Sequence, residues 1–546
     1  MFKLSGLGLV FAAVCAAQTP VILISVDTLR ADHLGALGYK RAATPNLDAF
    51  ASGGTLFTAA ETQIPFTLPS HTALMTSTYP SENGVEENAD TVPPSLVTLA
   101  SVLKGRGYQT AAFIGSIFLE RQLGLDRGFD NYDSPFSFEA FSRLSGSMLF
   151  AGGPHNPYAV RERRPGPLVT RAANQWMAAR RGQPVFVFVH LFDMHKPYQL
   201  ASYDAELEAV DRLLGAFEQM LKRDGWWDKS LVVLVSDHGE GLGDHGESDH
   251  GYFVYESTLH VPLIVHWPQG EARMPERVTQ PVGLIDVAPS ILEFLKIPAP
   301  ASFKGRSFLD GSARPVYSES VYARDCFGWS ALRTLRVGGM KYIEAPRPEL
   351  YDVDKDPREL TNLVRSNPTQ AAALRAQLAK FVAAQTPASV QQGDPQKNKE
   401  VLQSLGYLAP GPRAAAKGPA ADPKDKLPEL LRYEDALNLM DERRYTAAVA
   451  VFRSILATDG RNLLARRDLG VALIELKEFG QAANELQQVA AAAPGDYVTR
   501  YELGIADEAL GKRREAGDQF EAACALAPGA AQCKDALARV RGATGK

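Results

Sequence analysis

Apolar residues gather in short, almost unbroken runs at 20–26, 185–189 and 231–235, as strands buried on both faces require. Between these runs the spacing becomes helical. Thr44-Pro45 suits a helix start and Gly53-Gly54 its end. Ser95 is placed to cap a second helix, with Leu96, Leu99, Ala100 and Leu103 on one face, ahead of a strand at 108–114. Residues 203–223 form a third helical segment. The alternation predicts an α/β domain, a mostly parallel sheet sandwiched by helices. From about 315 to 365 the pattern shortens to 316–322, 331–337 and 340–343. That suits a small antiparallel C-terminal layer with a hairpin turn at Gly338-Gly339.

The tail repeats every 34 residues, and 431–464, 465–498 and 499–532 align without gaps. Tyr445 and Phe479 share one register position, Ala448, Ala482 and Ala516 a second, and Phe452, Leu486 and Phe520 a third. Leu469-Gly470 matches Leu503-Gly504, and Pro494 matches Pro528. The pattern resembles tetratricopeptide repeats, whose helix pairs stack small positions against large apolar ones. It implies an all-α domain with a protein or peptide partner in its concave face. Residues from Cys533 on are too few for a fourth unit and suit a capping helix. Ahead of the repeats, 383–428 is rich in Ala, Pro, Gln and Lys and reads as a linker. Its apolar stretch 401–408 is expected to pack back on the first domain.

Composition narrows the class. A chain of 546 residues with net charge -5, 45% hydrophobic and 22% charged fits several globular domains and excludes collagen-like, disordered and multispanning proteins. The slight acidity gives no reason to expect nucleic acid as a partner. Met1-Phe2-Lys3, the apolar stretch 4–14 and Cys15-Ala16-Ala17 have the order of an export signal. Eleven apolar residues are too few for a bilayer span, which takes about 20. The expected layout is a signal peptide at 1–17, a main domain at 20–380, a linker at 381–428 and the repeat domain at 429–546. Such a protein is exported, periplasmic or secreted, with no transmembrane helix in its mature chain. Cys326, Cys524 and Cys533 lack zinc-site spacing; Cys524 and Cys533 could pair in an oxidising compartment, but small core residues are the expectation. All ten His lie at or before His266, so chemistry that needs imidazole belongs to the front half.

In an open parallel sheet, ligands sit beyond the carboxyl ends of the strands. The first run ends at Asp27, the run 231–235 enters Ser236-Asp237-His238, and 185–189 leads to His190, Asp193 and His195. One strand-end acid is commonly a turn or cap residue. Three such ends bearing oxygen and nitrogen donors favour a divalent-metal site. Thr67, in Ile64-Pro-Phe-Thr-Leu-Pro-Ser70-His71, lies in a loop entering a helix near Ser70. Free amides at a helix start favour a phosphate or sulfate oxyanion, and a metal-held hydroxyl becomes a nucleophile. Alone, Thr67 would read as a plain helix cap.

Several segments in order are similar to the sulfatases of the alkaline phosphatase superfamily. They are the run ending Asp27-Thr-Leu-Arg-Ala-Asp-His-Leu-Gly35, then Thr44-Pro-Asn-Leu-Asp48, Thr67-Leu-Pro-Ser-His71 and Ser236-Asp-His-Gly-Glu240. Asp244-His-Gly-Glu247, His250-Gly251, Val261-Pro-Leu-Ile-Val-His-Trp-Pro268 and Leu350-Tyr-Asp-Val-Asp-Lys-Asp-Pro-Arg-Glu359 extend the likeness over about 20–408. It implies metal-assisted nucleophilic substitution at phosphorus or sulfur. Five features depart from the pattern. Sulfatases carry Cys or Ser, oxidised to formylglycine, where Thr67 stands, and Thr is not a substrate for that conversion, so formylglycine is not expected. Their Pro-Ser-Arg is Pro69-Ser70-His71, and their paired acids are Asp27-Thr28. Their Asp-Asn pair is Asp237-His238, and an apolar stretch at 113–117 replaces a Lys and a His. The set Asp27, Thr67, Asp237 and His238 looks more like the threonine-nucleophile branch, which includes nucleotide pyrophosphatases and phosphoglycerol or phosphoethanolamine transferases.

The resemblance therefore implies one divalent ion (Zn, Mn, Mg or Ca, undistinguished) on Asp27, Asp237, His238 and the Thr67 hydroxyl. Thr67 is the expected nucleophile on a small-molecule, lipid or glycan ester, phosphate before sulfate and phosphodiesters in particular, through a covalent intermediate. His195 and His250 are expected to hold the anion and protonate the leaving group. His71 is expected to help bind substrate. A second ion on Asp193, His195 and His250 is an alternative use of those side chains. His190, His260 and His266 read as core or strand-end residues, His245 as solvated, and His33 and His155 have no assigned role. A phosphoglycerol- or phosphoethanolamine-type transferase, a true sulfuric ester hydrolase and a catalytically weak repeat scaffold remain open.

Overall fold

The computed structural model describes residues 18–88, 90–136, 163–385, 420–526 and 531–542. The expected export signal, the stretch 401–408 and His155 lie outside these residues. The main sheet contains β1 (Val21–Val26), β2 (Thr55–Glu61), β3 (Gln109–Phe113), β4 (Asn131–Asp133), β5 (Val185–Leu191), β6 (Leu231–Val235), β7 (His260–His266), β8 (Arg277–Val278) and β9 (Val282–Gly283). Its order is β4-β3-β5-β1-β6-β7-β2-β8, with β9 also pairing β2. β7 runs antiparallel to β6 and β2, while β1 pairs in parallel with both β5 and β6.

Helices cover both faces, which is why the central strands are apolar apart from Ser25 and His190 near their carboxyl ends. Leu23, Phe57, Phe186 and Val233 pack on one side with helices Leu99–Lys104 and Val287–Phe294. Ile22, Ile24, Val187 and Leu234 pack on the other with helices Pro45–Ser52, Gly166–Ala178 and Tyr203–Arg223. Each fully buried aliphatic side chain contributes about 1.5–3 kcal/mol. The helix expected from Ser95 starts at Leu99 instead. Thr98 caps it, accepting from the Ser101 amide at 3.0 Å while Ser101 Oγ accepts from the Thr98 amide. A reciprocal capping box satisfies two amides where a lone serine satisfies one.

The second sheet is antiparallel, β10 (Val316–Ser320), β11 (Leu332–Val337), β12 (Met340–Glu344) and β13 (Glu349–Asp352) in sequence order. Val337 pairs with Met340 across the two-residue Gly338-Gly339 turn, where Gly338 takes φ 59°. β10 stops at Ser320, short of the expected 322, because helix Tyr322–Phe327 buries Ala323, Cys326 and Phe327, a helical and not an alternating spacing.

The repeat region forms three helix pairs, Leu427–Asp441 with Tyr445–Thr458, Leu463–Glu475 with Phe479–Ala492, and Tyr497–Ala509 with Arg513–Leu526, followed by Ala531–Gly542. The small register positions are sterically required. A Cβ on Gly470 would meet Leu486 at 2.5 Å, and one on Gly504 would meet Phe520 at 2.6 Å. Cys524 and Cys533 form a disulfide with Cα atoms 5.6 Å apart, which corrects the expectation of two separate core thiols. No helix among the described residues is long and apolar enough to cross a membrane.

Candidate active site

Three strand ends meet at the carboxyl edge of the sheet. The Asp27 amide donates to Leu191 O at 2.9 Å, which ties the end of β1 to β5. Thr28 turns the chain with φ 54°, so its amide reaches Asp237 Oδ1 at 3.3 Å and the Leu29 amide reaches Ser236 Oγ at 2.9 Å. Thr67 is the first residue of helix Thr67–Thr76, three positions earlier than the sequence suggested, and its Oγ1 donates to Asp27 Oδ2 at 3.4 Å. The amide of Leu68 is not free for an anion; Asn88 Oδ1 accepts it at 2.9 Å.

His238 Nδ1 donates to Gly239 O at 2.9 Å, which leaves Nε2 bare and 3.5 Å from Asp237 Oδ2. Asp27, Asp237 and His238 are fully buried, and their donor atoms lie within 4.8 Å of one another. Asp27 Oδ1, Asp237 Oδ2 and His238 Nε2 have no hydrogen-bond partner. Burial pushes the Asp27 carboxyl up to about 7 and raises Asp237 well above the carboxylate range, with Asp27 itself adding to the second shift. Two unmatched carboxylates beside a bare imidazole nitrogen suit a divalent cation, which would offset their charge and occupy the unpaired atoms.

His71 lies directly beneath. Its Nδ1 donates to Thr67 O at 2.7 Å and its Nε2 accepts from Ser25 Oγ at 2.9 Å, because a carbonyl can only accept. Burial lowers this imidazole to about 4, so it is neutral and both nitrogens are engaged by protein atoms. His190, on β5 opposite Ser25, is fully buried with Nε2 3.4 Å from Asp27 Oδ2.

The outer side of the site is built by residues 240–252 folding back on themselves, with the Gly241 amide donating to Asp249 O at 2.6 Å. His250 Nδ1 lies 2.9 Å from Asp249 Oδ1 and 3.2 Å from Glu240 Oε1. Burial alone would lower His250, but the two carboxylates outweigh it and hold the ring well above the usual imidazole range. His195 is the opposite case. Burial first, then the charge on His250, lower it to about 3, and its Nδ1 donates to Lys196 O at 2.5 Å. The His250 ring centroid is 5.3 Å from that of His195 and 4.3 Å from that of His238, so the three rings form one group. Asp193 is not part of it. Its Oδ1 accepts from the Gly166 amide at 2.9 Å at the start of helix Gly166–Ala178, which corrects the idea of an ion on Asp193, His195 and His250. His250 instead shares a group with Glu240 and Asp249, whose donor atoms lie within 4.8 Å of one another.

The sulfatase family profile matches residues 19–297. The chain belongs to the sulfatase family. Residues 243–386 match the C-terminal region of N-sulphoglucosamine sulphohydrolase, and 439–498 match the tetratricopeptide repeat. An arylsulfatase of Clostridium perfringens is 23% identical over 63% of this chain and 90% of its own length. A delta 4,5-hexuronate-2-O-sulfatase of Bacteroides thetaiotaomicron is 25% identical over 66% of this chain and 88% of its own. Bovine arylsulfatase K is 28% identical, but the match spans only 41% of that protein. A phosphonate monoester hydrolase from Silicibacter pomeroyi shares the fold with a TM-score of 0.55 and 20% identity, covering 68% of this chain and 96% of that one.

In this sulfatase-family chain the structure brings Asp27, Thr67, Asp237 and His238 together, with His195 and His250 alongside. Sequence reasoning placed His190 at a strand end but read it as a core or strand-end residue, and it gave Glu240 and Asp249 no role. The approach of His190 to Asp27 shows only in the folded sheet, where β5 pairs His190 with Ser25 and brings its Nε2 to 3.4 Å from Asp27 Oδ2. Glu240 and Asp249 stood inside quoted motifs, but their role depends on a loop closure that spacing does not reveal. His245, expected to be solvated, stacks on Tyr255 with ring centroids 3.5 Å apart and donates to Arg358 O.

Proposed function

We propose that the protein is a metal-dependent ester hydrolase that uses Thr67 as a covalent nucleophile, with phosphate esters, and phosphodiesters in particular, as its substrates. The observation that carries this reading is the Thr67 hydroxyl at a helix start, 3.4 Å from Asp27 within a buried group of two carboxylates and a bare imidazole nitrogen. Asp27, Asp237 and His238 would hold the ion, with Thr67 Oγ1 beside them. Bound there, a divalent ion would lower the pKa of the Thr67 hydroxyl and offset charge on the anionic ester. Thr67 Oγ1 forms a bond to phosphorus with Asp27 Oδ2 the nearest carboxylate for its proton, and the bond to the leaving oxygen breaks. His250, kept charged by Asp249 and Glu240, donates a proton to that oxygen. Water then attacks the phosphothreonine phosphorus, with neutral His195 placed to accept its proton; the bond from phosphorus to Thr67 Oγ1 breaks, and Asp27 returns its proton to that oxygen. We place His71 as a support beneath Thr67, not as a direct substrate contact.

The sulfatase relatives favour a second reading, sulfate ester hydrolysis by the same residues. One panel separates the two: sulfate monoesters, phosphate monoesters and phosphate diesters, each with several added metals. Phosphodiester turnover above sulfate turnover supports the first reading, and the reverse order replaces it. Thr67→Ala should lower kcat by about 10³-fold or more on the preferred substrate. Full retained activity would end the nucleophile assignment.

We further read the repeats as a docking domain for a protein or peptide, and the chain as exported to the periplasm or beyond. The Cys524–Cys533 disulfide supports export, because such bonds persist in oxidising compartments.

A further inference from the structure

We propose that His190 is a fourth protein ligand to the ion held by Asp27, Asp237 and His238, and that its imidazole makes the site selective for a zinc-class transition ion over calcium or magnesium. The inference rests on the metal-dependent reading above and adds to it a ligand and a metal class.

His190 is fully buried, and neither ring nitrogen has a hydrogen-bond partner. Such an imidazole is costly in a folded interior unless something at the site uses it. Its surroundings offer little else. The rings of Phe188 and Phe192 flank it with centroids 6.4 and 6.2 Å away, and His71 stands edge-on at 4.9 Å. His71 cannot serve as the partner, since Thr67 O and Ser25 Oγ already occupy its two nitrogens. The remaining polar atoms are carboxylate oxygens. His190 Nε2 is 3.4 Å from Asp27 Oδ2, and His190 forms a group with His71 and Asp237 whose donor atoms lie within 4.8 Å of one another, sharing Asp237 with the group Asp27, Asp237 and His238.

Those separations suit a shared ion. Donors bound to one zinc-sized ion at 2.0–2.2 Å lie about 3–3.5 Å apart. The pairs His190–Asp27 at 3.4 Å, His238–Asp237 at 3.5 Å and Thr67–Asp27 at 3.4 Å all fall in that interval. Chemistry then chooses the metal. Calcium takes six to eight oxygens and magnesium prefers oxygen and water, whereas imidazole suits zinc, cobalt, iron and nickel. Two imidazoles against two carboxylates shift the donor set to the nitrogen side.

The test uses the full chain, stripped of metal and loaded with one equivalent of cobalt(II). His238 bound through Nε2 keeps an exchangeable Nδ1 proton, and a bound His190 keeps one on its other nitrogen. Two paramagnetically shifted, exchangeable imidazole N–H resonances are therefore expected in the wild type, and excess calcium or magnesium should not displace the cobalt. His190→Phe should lose one of the two resonances and weaken cobalt binding by at least about tenfold. A single resonance in the wild type overturns the proposal without any variant, so it stays testable if His190→Phe does not fold. An unchanged resonance count and affinity in a folded His190→Phe overturn it as well. Displacement by calcium or magnesium at comparable concentration overturns the selectivity. If the stripped wild type takes up no divalent ion at all by equilibrium dialysis, the metal-dependent reading itself fails.

Discussion

His250 carries a proton because Asp249 and Glu240 stand on one side of its ring, and the pH response of the site follows from that pair. A donor whose pKa is raised keeps its proton into alkaline solution, so kcat/KM should hold there and fall only when His250 finally deprotonates. Asp249→Asn removes the anion 2.9 Å from Nδ1. The imidazolium loses support, its pKa falls, and the alkaline limb should move to lower pH by about one unit or more. A pH–rate profile of the variant that superimposes on the wild type would remove His250 as the titrating donor. Gly251, next in the chain, has φ +104°, and a Cβ there would meet the Phe66 ring at 2.4 Å. Phe66 precedes Thr67, the proposed nucleophile. Gly251→Ala should therefore displace Thr67 and lower kcat by about 10- to 100-fold, with a much smaller change in thermal midpoint than a core truncation produces.

At the level of elements, a buried charge network joins the second sheet to the first. Arg336 on β11 reaches Glu61 at the end of β2 at 2.9 Å and Glu256 at 3.1 Å, while Lys341 on β12 reaches Glu256 at 2.9 Å and Glu359 at 3.0 Å. Three carboxylates share two cations, all almost fully buried. Arg336→Met would leave Glu61 without its cation and Glu256 with only Lys341. Removing one partner of a buried ion pair typically costs about 3–5 kcal/mol, so denaturant unfolding of the catalytic part should shift by that amount. None of this network was legible from periodicity, because each member sits on a different element. The elements themselves were legible where one residue type decides them. β1, β5 and β6 read as strands from their apolar runs, and Gly338-Gly339 read as a turn because only glycine accepts such a φ readily. Thr98 was missed as a cap in favour of Ser95, since two hydroxyls three residues apart look alike until Ser101 completes the box. Asp27, Thr67, Asp237 and His238 were legible because strand ends and a helix start place them; His190 was legible as a strand-end residue, but not its approach to Asp27, which the pairing of β5 with β1 sets.

For the whole molecule, the decisive contact is between the repeats and the loop that carries His250. Tyr252, Phe253 and Tyr255 of that loop share one apolar cluster with Phe327, Trp329, Leu430, Tyr433 and Phe452. Tyr433 stands edge-on to Phe327 with centroids 5.9 Å apart, and the next residue, Glu434, accepts from Ser248 Oγ at 2.8 Å. Ser248 O in turn accepts from Lys196, the neighbour of His195. The first repeat helix therefore braces both histidines from outside the catalytic domain, although no described residue of the repeats enters the group of Asp27, Asp237 and His238. Tyr433→Ala should open a cavity in the shared cluster at a cost of about 3–5 kcal/mol and lower kcat, although the residue is remote from the ester. Phe520→Ala provides the contrast. It removes an equally buried ring packed on Gly504 in the third repeat, far along the array, and should destabilise the repeats without changing kcat. Equal kcat values for Tyr433→Ala and the wild type would mean that catalysis draws nothing from the interface. A loss confined to Tyr433→Ala would show that the repeat array is a structural wall of the active site.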